Sequence, residues 1–246
     1  MRTVAQLISD RHDAWPQVLA WVEQAVRSVD VLPIDPASRG ESTLFALQVT
    51  TRSLMGAIAL RSGGIVVDNG WIRILGAGHE RIGGGLREWN ALDGNEPLDP
   101  PLVDALIVAY DALGGFFALN GGAWPGTLGQ VHYFPPDTHE RQATELTYSG
   151  FLDFVFAGDL DAFYAGLRWP GWREEVGNLG PDEAMSIYPF LGFEQAPIGS
   201  RSRKPVLARG LWNLYRSMDQ QLRGLPDGSA VRVQLTDMPA SDINER

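Results

Sequence analysis

Apolar and polar positions divide the chain into short, differently patterned stretches. Trp15, Val18, Leu19, Val22, Val26 and Val29 recur at helical spacing, which predicts an amphipathic helix over 14–29. Pro16 suits its first turn, where a missing N–H costs nothing. Val31 to Ile34 then reads as a short strand. Between Leu44 and Leu75 the pattern turns to β. Leu44–Val49, Gly56–Leu60, Ile65–Val67 and Trp71–Leu75 are short apolar runs, several rich in β-branched residues. Asn69-Gly70 predicts a hairpin turn, because both residues tolerate positive φ. Gly76 to Gly85 reads as a loop, and Arg87–Asn90 as one helical turn.

The second half opens with Ala105–Ala109, a turn over Asp111–Gly115, and Phe116–Leu119, read as strand, turn and strand. A helix over 102–113 competes, since Leu102, Leu106, Tyr110 and Leu113 also fit helical spacing. Gln130–Phe134 follows as a strand. Ser149 is expected to cap a helix carrying Phe151, Leu152, Phe154 and Val155. Asp159–Leu167 and Trp172–Leu179 read as short helices, and 206–223 as a longer one closed by Gly224 and Pro226. Val231 to Leu235 alternates weakly. These elements describe a single α+β domain over 1–225, with an internal boundary near the proline-rich, acidic stretch 93–101. A flexible tail is expected over 226–246. The expected architecture is a twisted, mainly antiparallel sheet packed on one face by the helices 14–29, 149–167 and 206–223.

Composition narrows the function classes. The chain has 246 residues, 44% of them hydrophobic and 20% charged, enough apolar material for a real core. Its net charge of −10 opposes binding to nucleic-acid phosphates and anionic lipid, and allows a basic protein partner. The absence of cysteine excludes disulfides and every zinc site that needs sulfur. No apolar run is long enough to span a bilayer, and the first ten residues lack a signal-peptide core. A cytoplasmic location is expected.

The motifs that announce common chemistries are missing. Gly76-Ala77-Gly78-His79-Glu80-Arg81 has arginine where the dinucleotide fingerprint needs glycine. There is no Walker loop, nucleophile elbow or His-Glu-x-x-His. A metal site would require His132 and His139 to converge with Asp137 or Glu140. Acid pairs such as Asp159/Asp161 are better explained as charges at a helix N-terminus. No catalytic residue, metal or cofactor is therefore assigned. The tryptophans stand out. Trp169-Pro170-Gly171-Trp172 and Trp124-Pro125-Gly126 put aromatic rings on turns, where they can supply rigid contact area. Trp124, Tyr133, Asp137, Glu140, Trp169 and Trp172 are the candidate partner-binding residues.

Several segments carry a family resemblance. Gly70–Gly76, Trp89-Asn90, Gly114–Gly122, Leu167–Trp172 and Tyr188–Leu191 together resemble the bacterial family of unknown function DUF2625, over about residues 1–223. Ile107–Asp111, Gly115–Leu119, Gly129–Phe134 and Ser149–Phe154 are also similar in order to the Smi/Knr-like SUKH superfamily, over about 104–165. That second resemblance implies an α+β fold used to bind proteins, often as toxin immunity proteins. The leading expectation is a non-catalytic, immunity-like protein-binding module whose acidic surface meets a basic partner such as a toxin. The alternatives are a hydrolase-like enzyme using histidine and carboxylates, and a small-ligand binder at the Gly-rich 76–85 loop.

Overall fold

The computed structural model describes residues 1–9, 11–34, 36, 38–92, 102–138, 140–192 and 197–222. The expected boundary at 93–101, His139 and the tail with Val231–Leu235 lie outside these residues.

The chain begins with α1 (Val4–Leu7) and α2 (Trp15–Glu23). Next come β1 (Val29–Leu32), α3 (Ser38–Leu47), α4 (Leu54–Arg61), β2 (Gly64–Val67), β3 (Ile72–Leu75) and α5 (Leu86–Trp89). The second half supplies β4 (Ala105–Asp111), β5 (Phe116–Asn120), β6 (Gln130–Phe134) and β7 (Gln142–Thr147). It ends with α6 (Tyr148–Ala157), α7 (Leu160–Phe163), α8 (Trp172–Gly177), β8 (Glu183–Tyr188), β9 (Ser202–Leu207) and α9 (Ala208–Leu222). Among the described residues, β1 to β7 form one antiparallel sheet in chain order, and β8 pairs with β9 in a second. The fold is α+β. The β2–β3 turn uses Asp68, Asn69 and Gly70 at positive φ (53°, 56° and 89°), as the Asn-Gly pair foretold.

Two expected strands are helices. The segments around Leu44–Val49 and Gly56–Leu60 lie in or beside α3 and α4. Ser53 caps α4, its Oγ accepting from the Gly56 N–H at 3.1 Å. The run Leu54-Met55-Gly56-Ala57-Ile58-Ala59-Leu60 is rich in strong helix formers, and its shortness hid that behind the β-like apolar pattern. The glycine that weakens such a helix has a packing reason. A Cβ on Gly56 would lie 2.1 Å from the Thr50 carbonyl oxygen. Likewise, one on Gly40 of α3 would lie 2.2 Å from that of Leu60. Elsewhere the 14–29 helix stops at Glu23, so that Val29 can enter β1. The cap of α6 is Thr147, whose Oγ1 accepts from Gly150 N–H at 3.3 Å, and not Ser149. Helix α7 is four residues long rather than running to Leu167.

The expectation of helices on one face is corrected at the sheet centre. Phe116 and Phe117 are adjacent on β5 and point to opposite faces, yet each is 1% exposed. Phe117 packs on Tyr133, on Phe151 of α6 and on Phe163 of α7. Phe116 packs on Trp89 of α5 and Trp212 of α9. Helices α2, α4 and α6 pack together, whereas α9 packs with β8 and β9. The main sheet therefore lies between two layers, with α9 opposite α6. The reason lies in β8 and β9, whose mixed Glu183–Tyr188 and Ser202–Leu207 sequences gave no clear strand pattern. The Met185 N–H donates to the Ala112 carbonyl at 2.6 Å, tying this hairpin to the end of β4. The covering layer leaves a cleft over β1–β3.

Candidate functional site

Register places the floor of this cleft. Asp30 pairs with Val66, Val66 with Arg73, and Arg73 with Tyr110. Side chains of directly paired residues share a face, so this row points away from α2 and α4. Along the same strands Ile65, Val67, Ile72 and Ile74 point the other way and are fully buried. The row, together with Asn69, Gly70 and Arg81, meets Arg173 and Val176 of α8, and Leu179 and Pro181 beyond it, around a cleft of about 400 Å³.

Three arginines line the cleft. Arg73 rises from the middle of β3. Its Nη1 donates to the Glu183 carbonyl at 2.5 Å and lies 3.4 Å from the Tyr110 hydroxyl. That hydroxyl in turn lies 3.1 Å from the Ile82 carbonyl and 3.2 Å from that of Pro181. Arg81 stands at the rim and pairs with Asp30. Arg173 is exposed, with its guanidinium 4.5 Å from the Trp172 ring centre. Arg81 comes from the Gly-rich 76–85 segment, but that segment is no open loop. Arg39 closes it, donating from Nε to the Ala77 carbonyl at 2.6 Å and pairing with Glu88.

The expected partner-binding residues are dispersed. Tyr133, Trp169 and Trp172 are buried, and burial removes the surface that a docking anchor needs. The turn aromatics fold inward because Arg168 lies between rings, 4.7 Å from Trp71, 5.4 Å from Tyr164 and 4.3 Å from Trp172. Trp71 also packs at 5.9 Å from Trp169. Trp124 is half-buried, tilted against His132 with ring centres 4.8 Å apart, under Arg141. Asp137 is half-exposed and Glu140 exposed. His132 is buried, and its Nδ1 accepts from Arg141 Nη1 at 2.7 Å. Burial, and then the Arg141 charge, hold its pKa below the usual histidine value.

A perturbed acid, Asp111, lies in the interior. Asp111 is wholly buried in the β4–β5 turn. Its Oδ1 accepts from the Leu113 and Gly115 N–H groups at 2.9 and 2.8 Å. Its Oδ2 accepts from the Tyr133 and Tyr164 hydroxyls at 2.6 and 3.2 Å. Burial pushes its pKa up, and these hydrogen bonds pull it part of the way back. Burial and the Asp111 charge hold both tyrosines protonated, as donors must be.

Of the cleft residues, Asp30, Arg73 and Arg173 belong to no motif or spacing in the sequence, while Arg81 lies in the Gly-rich 76–85 segment. One signal was present: Arg73 is a charge inside the apolar run Trp71–Leu75, an unusual position in a strand that the fold buries.

With fold and cleft defined, comparison places the chain among known proteins. It belongs to the family described as "Protein of unknown function DUF2625", whose model matches residues 4–210. It is 38% identical over 220 residues to the "Putative uncharacterized protein YbfG" of Escherichia coli (strain K12), covering 89% of this chain and 98% of that protein. It is 36% identical over 208 residues to an "Uncharacterized protein" of Haemophilus influenzae (strain ATCC 51907 / DSM 11121 / KW20 / Rd), covering 84% and 90%. The crystal structure of Atu4351 from Agrobacterium tumefaciens matches with a TM-score of 0.44 and 13% identity, over 79% of this chain and 86% of that one. The family model and the two sequence relatives support DUF2625 membership and do not extend to the SUKH resemblance. No helix among the described residues is long and apolar enough to cross a membrane.

Proposed function

We propose that the chain is a non-catalytic binding protein whose ligand sits in the cleft between β1–β3 and α8. The observation that carries this reading is the cleft itself: a concave volume of about 400 Å³ where charged and polar groups converge beside the apolar side chains of Val66, Val176 and Leu179. The buried acid Asp111 supports the same reading from the other side. It is inaccessible, and all its acceptor directions are taken by internal donors, so it is built to hold a turn rather than to move a proton.

The test is shift mapping by NMR with a panel of small fragments, on wild type and on Val66→Trp, which fills the cleft from its floor. Fragments should perturb Val66, Asn69 and Arg173 in the wild type, and lose that effect in the variant. Substrate turnover that survives Val66→Trp and vanishes with His132→Ala would replace this reading by the enzyme alternative.

A second reading keeps protein binding. Strand β7 ends the sheet order, and an open edge can accept a partner's strand. Of the residues expected to contact a basic partner such as a toxin, Trp124, Asp137 and Glu140 retain surface. An immunity-like role belongs to this reading. Its test is complex formation with a defined basic partner encoded beside the gene, lost on Trp124→Ala and unaffected by Val66→Trp.

A further inference from the structure

The cleft also carries a statement about what it takes, which rests on its being the binding site. Arg73 is 4% exposed, and a guanidinium keeps its charge at any pH a protein survives. Buried charges are ordinarily paired, because desolvation is costly without a counter-charge. Arg73 has none. Its protein partners are a carbonyl and a hydroxyl, both on Nη1, and its ring neighbour Tyr110 lies 5.5 Å away. Among the described residues no carboxylate lies within ion-pair distance of it, and its Nε and Nη2 hydrogens make no hydrogen bond.

The shortage is local. The chain has 30 acidic residues against 20 basic ones. The cleft's own acid, Asp30, is already held by Arg81. Arg173 makes no ion pair among the described residues either. In this acidic protein the described lining of the cleft thus carries more positive than negative charge.

We infer that this cleft is an anion site, and that Arg73 takes the oxyanion head group, carboxylate or phosphate, of a small organic ligand. The Nε and Nη2 edge of a guanidinium offers two parallel donors, the geometry that grips an oxyanion in bidentate fashion. Arg173 and Arg81 stand at the rim to add charge. Val66, Val176 and Leu179 line the cleft beside these charges, so the ligand carries an apolar body as well as its head. The anion supplies the counter-charge that the fold withholds from Arg73.

The experiment uses benzoate and phenyl phosphate as anionic probes and benzamide as a neutral match, on the full chain, by titration calorimetry and amide shift mapping. Both anions should bind and shift cleft resonances. Arg73→Gln should weaken them by about tenfold or more, as loss of a charge-assisted pair does. Arg73→Lys should keep part of the affinity, because the charge stays and the fork is lost. Arg73→Gln disturbs a buried position, so Arg173→Ala, at an exposed one, is measured beside it. It should weaken the anions several-fold and leave benzamide unchanged. Benzamide binding in the cleft as well as benzoate, with no effect of either charge removal, would overturn the anion assignment while the cleft stands as a binding site. Probe shifts confined to residues outside the cleft would overturn both.

Discussion

Asp68 and Arg168, a hundred residues apart, meet at 2.6 Å between Oδ2 and Nη2, with both side chains almost shielded from water. Asp68 sits in the β2–β3 turn, and Arg168 leads into the Trp169-Pro170-Gly171-Trp172 turn. The pair therefore fastens the second half of the chain to the first hairpin, and the rings of Trp71, Tyr164 and Trp172 close around the cation. Arg168 also pairs with Asp161, which is mostly exposed.

Removing one partner of a buried pair strands the other charge and typically costs about 3–5 kcal/mol. Asp68→Ala should fall in that range in urea unfolding. Asp161→Ala, on the same guanidinium but in water, should cost at most about 1 kcal/mol. Equal costs would mean that the inner pair is solvated and does not act as a fastening.

Phe116 and Phe117 test the two-layer packing. Each faces a filled layer, so Phe116→Ala and Phe117→Ala should each cost about 3–5 kcal/mol. A small loss at Phe116 alone would mean that α9 and the β8–β9 hairpin cover the sheet only loosely.

Much of this frame was legible in the chain. Asn69-Gly70 announced the hairpin, and the apolar run Phe116–Leu119 and the alternation of Val131-His132-Tyr133 announced β5 and β6. Strand β7 escaped because Gln142–Thr147 lies at an edge and is mostly exposed, leaving little apolar periodicity to read. Helices α3 and α4 read as strands in the sequence because Gly40, where α3 meets Leu60, and Gly56, where α4 meets the Thr50 carbonyl, depress helix propensity. The aromatic turns pointed outward in sequence because nothing local shows that Arg168 will gather them. The cleft was the least legible part. Its residues come from four separate segments and meet only through register, so Arg73 was visible as an anomaly but not as a site.

Asp111 should give an inverted pH signature. Its folded pKa lies above the unfolded one, so the native state holds the proton more tightly. The stability this contributes is complete below the unfolded pKa, about 3.8–3.9, and is lost as pH rises through the folded pKa. Asp111→Asn lacks that dependence. Urea midpoints taken from pH 3.5 upward should show wild type declining relative to the variant across this window. A constant offset would mean that the internal donors fully cancel the cost of burial.

His132 works in the opposite sense. Its folded pKa is lowered, so its contribution is complete above the unfolded value near 6.5 and is lost as pH falls through the folded one. Protonation would set an imidazolium against Arg141, with the buried Nε2 lacking any acceptor. His132→Gln should therefore lose less stability than wild type between pH 7 and pH 5. In an NMR titration the His132 ring should change later, on acidification, than a free histidine. A ring that titrates at 6.5 or above would contradict the buried contact with Arg141.

The order of strands in the main sheet has a consequence for how the chain comes into being. From β1 to β7 each strand lies beside its predecessor in sequence, so no strand waits for a residue synthesised much later to find its neighbour. Loop closures are short at β2–β3, β4–β5, β5–β6 and β6–β7, and only β1–β2 and β3–β4 are joined by longer segments that carry helices. The sheet can be laid down rib by rib as the nascent chain emerges, and the face that carries Phe116 is completed only when the last helix arrives.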